Sequence, residues 1–209
     1  DGQQIAFSGA LPGRPWKVYL ISKDGGGPQA VTQEEIRETD PTWSPDGNTL
    51  AFSRVDPFQA DKTFIVMYNL KDRKSSQLPG SAGTFAPRWS PDGRYMLAIS
   101  FDNGKLLLYD VINQKWRPVN TDLGAFGYIA WSQDSAYVYF DTFFGNAIGY
   151  YRLRLSDLKL ERVFDLKKIR RFGGQFGPGS WTGLGPGDVP LLPRDISTQE
   201  IYAFDLKLP

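Results

Sequence analysis

Large apolar residues fall on every second position in many short segments of this chain. Residues 5–8 and 49–53 are two examples, and polar or small residues stand between their apolar positions. A period of two places alternate side chains on opposite faces of a β-strand. No segment shows a convincing helical period, and turn residues interrupt the segments at short intervals. The pattern predicts an all-β chain of many short strands.

One segment, in which a strand ends at Trp-Ser and a turn leads into a second strand, occurs five times. Its copies lie at residues 40–53, 86–100, 129–140, around 180–181 and, as a second half only, at residues 1–8. The tryptophans follow one another at intervals of 46, 42 and 50 residues: Trp43, Trp89, Trp131 and Trp181. A repeat of this length indicates a propeller or another repeat architecture.

Each copy is predicted to form four antiparallel strands. The first two strands are joined by a tight turn at Asp46-Gly47 or Asp92-Gly93, where proline presets φ and glycine supplies a positive φ. Third strands are predicted at residues 17–21, 64–68, 106–109, 150–153 and 200–204. A short fourth strand follows, for example at residues 116–119. Four strands in about 40–50 residues are the blade of a β-propeller.

The repeated residues are predicted to be structural. Each tryptophan ends an inner strand, and we expect its ring to pack between adjacent blades, because one large ring per blade is a packing pattern. The Asp-Gly pairs are turn residues and not paired catalytic carboxylates. The predicted repeats divide the single propeller domain at residues 1–39, 40–84, 85–127, 128–178 and 179–209.

Residues 43–47 and 89–93, both Trp-Ser-Pro-Asp-Gly, resemble the PD40 repeat of TolB-like propellers, which are relatives of WD40 propellers. The resemblance covers essentially the whole chain. It is weaker in the fourth and fifth copies, and in the fourth Gln133-Asp134-Ser135 replaces Pro-Asp-Gly. The tail at residues 189–205 is similar to the C-terminal propeller of acidobacterial winged-helix regulators and serine/threonine kinases. The resemblance implies the sensing or protein-interaction part of a larger bacterial signalling protein.

Two copies of the repeat are incomplete in the sequence. The first lacks an inner strand and the fifth ends after its third strand, so we expect 18 strands where five whole blades would have 20. We therefore expect the C-terminal portion of a six- or seven-bladed ring. Open blade edges also invite pairing with other chains, so self-association is a further expectation.

Binding surfaces on propellers lie on the loops between second and third strands and on the connections between blades. Here we expect five such loops to share one face: residues 9–15, 54–62, 121–128, 141–149 and 167–178. Their candidate contact residues for a protein or peptide are Arg14, Arg54, Phe58, Phe126, Phe143 and Phe144. Aromatic rings beside charges are typical of protein interfaces, although loop aromatics also fold back over blade edges.

Composition excludes several chemistries. Among the 209 residues there is no His and no Cys, so a Ser-His-Asp triad, a His or Cys zinc site and a disulfide are impossible within this chain. We predict no catalytic, cofactor or metal-binding residues. The missing cysteine fits oxidising and reducing compartments alike, with an extracytoplasmic location favoured. No apolar run is long enough to span a bilayer, so we expect no membrane contact by this segment.

Charge argues against nucleic acid as a partner. The chain has 24 Lys and Arg against 23 Asp and Glu, which gives no global field. Residues 167–171 (KKIRR) form the only dense basic cluster, followed by Phe172 and Phe176 as candidate stacking rings. We interpret this cluster as a solvated loop between blades.

One enzymatic alternative remains open without histidine. Propeller glycosidases use pairs of Asp and Glu that point into the central channel. Asp40 is the chief inner-strand candidate in this sequence. A second alternative is the accessory propeller of a peptidase, whose catalysis would need a separate α/β domain. We predict a binding module and no enzyme.

Overall fold

The computed structural model describes residues 2–119, 121–144, 147–171 and 181–198, and within them the fold is all-β. Two single 3₁₀ turns, Ala60–Lys62 and Pro186–Asp188, are the helical elements of these ranges. Among the described residues, no helix combines the length and the apolar character that a membrane crossing needs. The predicted fold class is confirmed.

The first sheet has three antiparallel strands and the next three sheets have four each. Sheet 1 contains β1 (Gln4–Gly9), β2 (Lys17–Ser22) and β3 (Gly25–Ala30). Sheet 2 contains β4 (Glu38–Trp43), β5 (Thr49–Arg54), β6 (Phe64–Asn69) and β7 (Ser75–Gln77). Sheet 3 contains β8 (Thr84–Trp89), β9 (Tyr95–Ser100), β10 (Leu106–Asp110) and β11 (Lys115–Val119).

Sheet 4 contains β12 (Phe126–Trp131), β13 (Tyr137–Thr142), β14 (Gly149–Arg154) and β15 (Leu160–Asp165). Each four-stranded sheet is a meander in which sequential strands are neighbours. Two short strands, β16 (Gly183–Leu184) and β17 (Pro190–Leu191), form a fifth sheet. Residues 172–180 and the strand predicted at 200–204 lie outside the described residues.

The turn between the first two strands is fixed by a serine and an aspartate. The Ser44 hydroxyl donates to Asp46 Oδ1 at 2.5 Å and accepts the Thr49 N–H at 2.9 Å, while Gly47 takes a φ of 72°. The Ser44 hydroxyl is also the main cause that lowers the pKa of the Asp46 carboxyl. Sheet 3 repeats the turn with Ser90, Asp92 and Gly93.

Sheet 4 forms the same turn without proline or glycine. The Ser132 hydroxyl donates to Asp134 Oδ1 at 2.6 Å, and Ser135 adopts the positive φ of 60° that glycine has elsewhere. The Ser135 hydroxyl also accepts the Asp92 N–H at 3.1 Å, which joins the turns of sheets 3 and 4. We call this end of the strands the hairpin face.

The hydrophobic core lies in the seams between successive sheets. The seam between sheets 1 and 2 contains Val18, Leu50, Phe52 and Val66, with Trp43 packed against them. Trp89 packs in the seam between sheets 2 and 3, and Trp131 in the seam between sheets 3 and 4. Burial of large side chains against the neighbouring sheet is the main stabilising contribution in such repeats.

Trp181 does not occupy the tryptophan position of a fifth copy. Its side chain is 49% exposed, and it lies before β16 instead of ending an inner strand. Leu184 ends β16 and packs with Tyr139, Tyr150 and Leu166 in the last seam. The predicted copy centred on Ser180-Trp181 is therefore displaced, because the real turn follows Leu184 at residues 185–189.

A hydrogen bond from the bulge of β4 and another from the bulge of β8 join each of these inner strands to the preceding sheet. The inner strands β4 and β8 shift register between Thr39 and Thr42 and between Phe85 and Arg88. Pro41 and Pro87 lie in these bulges, where the strand pairing is interrupted and the missing N–H of proline removes no hydrogen bond of the ladder.

The residues that begin these bulges, Asp40 and Ala86, have φ values of 58° and 54°. Their N–H groups donate to Ser8 Oγ at 3.0 Å and to Ser53 Oγ at 2.8 Å. Both serines belong to the preceding sheet. We call these the bulge bonds.

The bulge bonds predict the effect of removing one serine hydroxyl. Ser53→Ala leaves the buried Ala86 N–H without its acceptor, and we expect a loss of about 1–3 kcal/mol in the free energy of unfolding. Urea titration followed by tryptophan fluorescence measures this loss. Ser76→Ala, at an exposed position of β7, is the matched control and should change little. Equal stability of the two variants would contradict the role of the bulge bond.

Candidate functional site

The meander topology places two kinds of loop at one end of the strands. Connections between second and third strands and connections between sheets all lie opposite the hairpin face. We call this end the loop face. Its described segments are residues 10–16, 31–37, 55–63, 78–83, 101–105, 121–125, 143–144, 147–148 and 166–171. Those parts of the predicted loops that belong to these described segments lie at this end of the strands.

Backbone hydrogen bonds join neighbouring loops along this face. The Gly83 N–H donates to the Thr63 carbonyl at 2.7 Å, and the Phe101 N–H donates to the Gly83 carbonyl at 2.8 Å. The Ala125 N–H donates to the Asn103 carbonyl at 2.9 Å. These hydrogen bonds therefore join neighbouring loops from sheet 2 to sheet 4.

A buried ionic cluster ties sheets 1 and 2 together beneath the loop face. Glu38, the first residue of β4, is fully buried, and its Oε2 lies 2.7 Å from Lys17 Nζ. The Thr32 hydroxyl lies 2.7 and 2.8 Å from the two Glu38 oxygens. Lys17 Nζ also donates to the Thr32 hydroxyl at 2.6 Å and to the Glu34 carbonyl at 2.7 Å.

Arg54 completes this cluster, which we call the Glu38 cluster. The Arg54 guanidinium lies 3.1 Å from carboxylate oxygens of both Glu34 and Glu38. The backbone amide of Glu34, together with Arg54, lowers the pKa of the Glu34 carboxyl. Arg54 is mostly buried in this arrangement. Its predicted role as an exposed contact residue is therefore corrected, because its charge is used inside the protein.

Asp141 is the second buried charge beneath the loop face. It stands in β13 at the position of Ser53 in β5, and it is fully buried. Its Oδ1 accepts the Tyr128 N–H at 3.0 Å and the Thr182 hydroxyl at 2.9 Å. Its Oδ2 accepts Arg171 Nη1 at 3.0 Å. Asp141 therefore joins the inner strand of sheet 4 to residues on both sides of 172–180.

Gly127 leaves the space that Asp141 occupies. A Cβ at residue 127 would lie 2.4 Å from Asp141 Oδ1, so a side chain there would displace the carboxylate.

Burial, with the nearby Asp141 charge, raises the pKa of the Tyr150 hydroxyl. These contacts were not predicted from the sequence, because they join positions that no local spacing connects.

Two of the predicted contact residues, Phe58 and Phe144, project from the loop face. Phe58 is 88% exposed, and the Asp56 carboxylate accepts the N–H groups of Phe58 and Gln59 and so fixes the loop below it. Phe144 is 59% exposed, and its ring lies 5.0 Å from the half-buried ring of Phe143. The sequence prediction missed two further exposed apolar residues of this face, Leu11 and Ile36.

Phe126 does not belong to this exposed group. The loop predicted at residues 121–128 ends earlier, because β12 begins at Phe126. The ring is only 2% exposed and packs edge-on against Phe140 in the seam between sheets 3 and 4. Its predicted contact role is corrected for this reason. Arg14 stays exposed and pairs with Glu35 at 3.0 Å.

Two of the four basic side chains at residues 167–171 form ion pairs within the chain. Arg171 pairs with Asp141, and Arg170 Nε lies 3.0 Å from Asp195 Oδ2. Lys167 and Lys168 remain exposed. Phe172 and Phe176, the candidate stacking rings, lie outside the described residues.

Carboxylates are scarce on the inner strands. Among β4, β8, β12 and β16, only β4 carries them, at Glu38 and Asp40. Glu38 is buried in its cluster, and Asp40 accepts the Thr39 hydroxyl at 2.7 Å and lies 3.8 Å from Arg88. Within the described ranges, no three Asp or Glu side chains gather as a metal site would require.

A groove of about 590 Å³ lies between the outer strands of sheets 1 and 2. Gln4, Leu20 and Gln29 line one wall, and Tyr68 and Arg73 line the other. The groove is mostly polar and is built from the outer ends of two sheets.

Solved structures with this fold include TolB proteins. TolB of Acinetobacter baumannii matches with a TM-score of 0.69 and 21% identity, over 89% of this chain and 45% of that one. A protein described as TolB from Agrobacterium tumefaciens matches with a TM-score of 0.72 and 21% identity, over 94% of this chain and 72% of that one. An oligogalacturonate lyase in complex with manganese matches with a TM-score of 0.57 and 20% identity, over 76% and 47%.

Sequence relatives are partial matches, and no family model matches the chain. The uncharacterized peptidase YuxL of Bacillus subtilis is 36% identical over 90 residues, 42% of this chain and 13% of the relative. The Tol-Pal system protein TolB of Ruthia magnifica is 28% identical over 112 residues, 52% and 26% of the two chains. Dipeptidyl-peptidase 5 of Aspergillus fumigatus is 28% identical over 152 residues, 60% and 21%. The matches thus span about a quarter or less of these relatives.

The Glu38 cluster predicts a large difference between two glutamates. Glu38→Gln removes the buried negative charge that Lys17 and Arg54 share, and we expect a loss of about 3–5 kcal/mol in unfolding free energy. Glu35→Gln breaks only the exposed pair with Arg14 and should cost about 0–1 kcal/mol. Chemical denaturation of both variants measures the difference. Comparable losses would show that the buried cluster does not hold sheets 1 and 2 together.

Proposed function

Because the chain has the fold of a TolB-like β-propeller, we propose that it is a non-catalytic binding module that holds a protein or peptide on its loop face. The observation that carries the proposal is the exposure of Phe58 and Phe144 on loops that internal hydrogen bonds hold in place.

Exposed phenylalanine rings have a specific energetic meaning at this site. A ring that stays in water in the free protein gains free energy when a partner covers it, and aromatic residues dominate interface energetics. A loop that is already ordered loses little conformational entropy on binding. Asp56 orders the Phe58 loop, and the Phe143 N–H, next to Phe144, donates to the Ala125 carbonyl at 3.3 Å. Both rings therefore stand beside backbone that is held by hydrogen bonds.

Charged residues share the loop face with these rings. Arg14 and Glu35 form an exposed pair on the same face, and Asp61 begins the 3₁₀ turn beside Phe58. Interfaces commonly combine an apolar centre with a polar rim. A polypeptide partner fits this surface better than a nucleic acid, since two of the four cations at residues 167–171 are paired internally.

We further propose that this module is the sensing or interaction part of a longer bacterial regulatory protein. The sequence resemblance of residues 189–205 to the tails of regulator propellers is the feature that supports this proposal. An accessory role beside a peptidase domain is the alternative, favoured by the identity with the peptidase YuxL.

The loop-face proposal predicts which substitutions abolish partner capture. We expect the double variant Phe58→Ser/Phe144→Ser to lose proteins that the wild-type chain captures from a bacterial lysate. Affinity for a captured protein, once identified by mass spectrometry, should fall at least about tenfold, as for interface hot spots. Both rings are exposed, so the melting temperature should change little.

Ile112→Ser is the matched control for this experiment. Ile112 is also exposed, but it lies in the turn between β10 and β11 on the hairpin face. It should capture the same proteins as the wild type. Unchanged capture by the double variant, with unchanged melting, would remove the loop-face proposal.

The non-catalytic assignment predicts no glycosidase activity that depends on Asp40. A panel of aryl-glycosides incubated with the wild-type chain and with Asp40→Asn should release chromophore at the rate of buffer alone. A glycosidase needs a second carboxylate near Asp40. Among the described inner strands the other carboxylate is Glu38, and Glu38 is already paired with Arg54. Activity that is present in the wild type and lost in Asp40→Asn would replace the proposal with an enzymatic one.

A further inference from the structure

The groove between sheets 1 and 2, which we call the outer groove, has a smaller counterpart in the next seam. Its volume is about 590 Å³, against about 210 Å³ for the cavity between sheets 2 and 3. Tyr68 and Tyr109 hold equivalent positions in the third strands of sheets 2 and 3, and each lines one of the cavities. Further equivalent pairs line them: Leu20 and Met67, Val31 and Leu78, and Leu70 and Val111. The two cavities are therefore the same position in successive seams.

The difference in size has its cause on the fourth strands of sheets 2 and 3. Trp116 of β11 stands opposite Tyr109, and the two rings lie 4.9 Å apart. Trp116 Nε1 also donates to the Pro79 carbonyl of sheet 2 at 2.9 Å, so the indole spans the seam. Ser75 of β7 is the equivalent residue opposite Tyr68. The short serine side chain does not span its seam, and the outer groove is wider for this reason.

The seam between sheets 3 and 4 is closed in the same way as the seam between sheets 2 and 3. Leu160 of β15 stands opposite Leu153, and both pack in the apolar cluster between these sheets. Of the fourth strands β7, β11 and β15, β7 is the one with a polar residue at this position. The width of the outer groove thus follows from one residue of sheet 2.

The charges of the outer groove favour an anion. Its two charged residues are Glu34 and Arg73, and the Glu34 carboxylate already lies 3.1 Å from the Arg54 guanidinium. Arg73 is exposed and forms no ion pair with any described residue. It stands at the positive-φ position of the β6–β7 turn, where the equivalent turns have the uncharged residues Gln114 and Leu158. A free cation at this position is therefore particular to the seam that is open.

We propose that the outer groove binds a small aromatic carboxylate, with its ring on Tyr68 and its carboxylate on Arg73. The ring would take the place that Trp116 has on Tyr109 in sheet 3. Guanidinium groups bind carboxylates through two parallel hydrogen bonds, and aromatic pairs gain free energy beyond that of the buried area. The amide side chains of Gln29 and Gln33 line the same groove and can bind further polar groups of the ligand. This site goes beyond the proposed binding of a protein on the loop face.

The shape of the outer groove favours a small molecule over a polypeptide. Its volume lies within the range of about 300–1,000 Å³ that is usual for ligand pockets. The wall that β3 forms begins with three glycines and then has Pro28, which has no N–H to donate. A strand of this composition is a poor template for the main-chain pairing of an extended peptide.

The side chain of Trp116 suggests the probe for this site. The compound 3-indolepropionate carries the same indole and a carboxylate. A titration followed by ligand-observed NMR should show saturable binding with a Kd of about 1 mM or tighter, the scale for a ligand of about 14 non-hydrogen atoms. The neutral 3-indolepropionamide and the non-aromatic cyclohexanepropionate should each bind at least about fivefold more weakly.

Ser75→Trp is the most direct variant, because it gives sheet 2 the ring that sheet 3 already has. We expect it to bind the probe at least about tenfold more weakly, with a melting temperature no lower than that of the wild type. Ser75→Leu copies Leu160 of sheet 4 with a smaller side chain and should weaken binding in the same direction. Ser76→Trp is the matched control, since neighbouring residues of a strand face opposite sides, and it should bind like the wild type.

A second pair of variants tests the role of the charge. Arg73→Gln copies Gln114 of sheet 3, and we expect it to bind 3-indolepropionate about fivefold more weakly. Its affinity for the neutral amide should not change, which separates a lost ion pair from a general disturbance of the groove. Arg117→Gln, at an exposed position of β11, is the control and should bind both compounds like the wild type.

Four outcomes would overturn the proposal. They are the absence of saturable binding, equal affinity for the carboxylate and its amide, full probe binding by a folded Ser75→Trp variant, and tighter binding of a blocked Gly-Trp-Gly peptide that displaces the probe. The last outcome would identify a polypeptide as the occupant. The double variant Phe58→Ser/Phe144→Ser should bind the probe like the wild type, so this test is independent of the loop face.

Discussion

The bulge amide of an inner strand needs an acceptor, and this requirement fixes how the sheets are arranged. An inner strand pairs on one side only, so its bulge N–H cannot find a partner within the ladder. In sheets 2 and 3 the acceptors are Ser8 and Ser53 of the preceding sheet. Each bulge bond constrains the distance and rotation between two neighbouring sheets. The apolar side chains between these sheets, with Trp43 and Trp89, pack in that arrangement.

In sheet 4 the bulge N–H finds its acceptor within the same sheet. Ile99 of sheet 3 stands at the position of Ser53 in sheet 2, and its side chain has no hydrogen-bond acceptor. Asp141 of sheet 4 accepts the Tyr128 N–H instead, and a carboxylate has capacity for further donors. Thr182 and Arg171 use that capacity. The carboxylate that accepts the bulge N–H of sheet 4 thus also binds residues on both sides of 172–180, before the fifth sheet.

Much of the fold could be predicted because it depends on local repetition. The Trp-Ser-Pro-Asp-Gly turns and the period of two locate the strands of sheets 2 and 3. Errors occur where a long-range contact decides the outcome. The local sequence predicts a loop at Phe126, but contacts with sheet 3 help to bury its ring. It also predicts an exposed Arg54, but the Glu38 carboxylate, 16 residues away in sequence, pairs with this side chain inside the protein. Trp181 matches the repeat by residue type, but the turn of the fifth sheet follows Leu184, so Trp181 does not end an inner strand.

The direction of the bulge bonds has a consequence for biosynthesis. In both serine bonds the acceptor belongs to the earlier sheet and the donor to the later one. A nascent chain emerges from its N-terminus, so each of these acceptors is already in place when its donor is synthesised. Sheets 2 and 3 can then add to a finished neighbour one at a time. The polarity of a single hydrogen bond thus matches the order of translation.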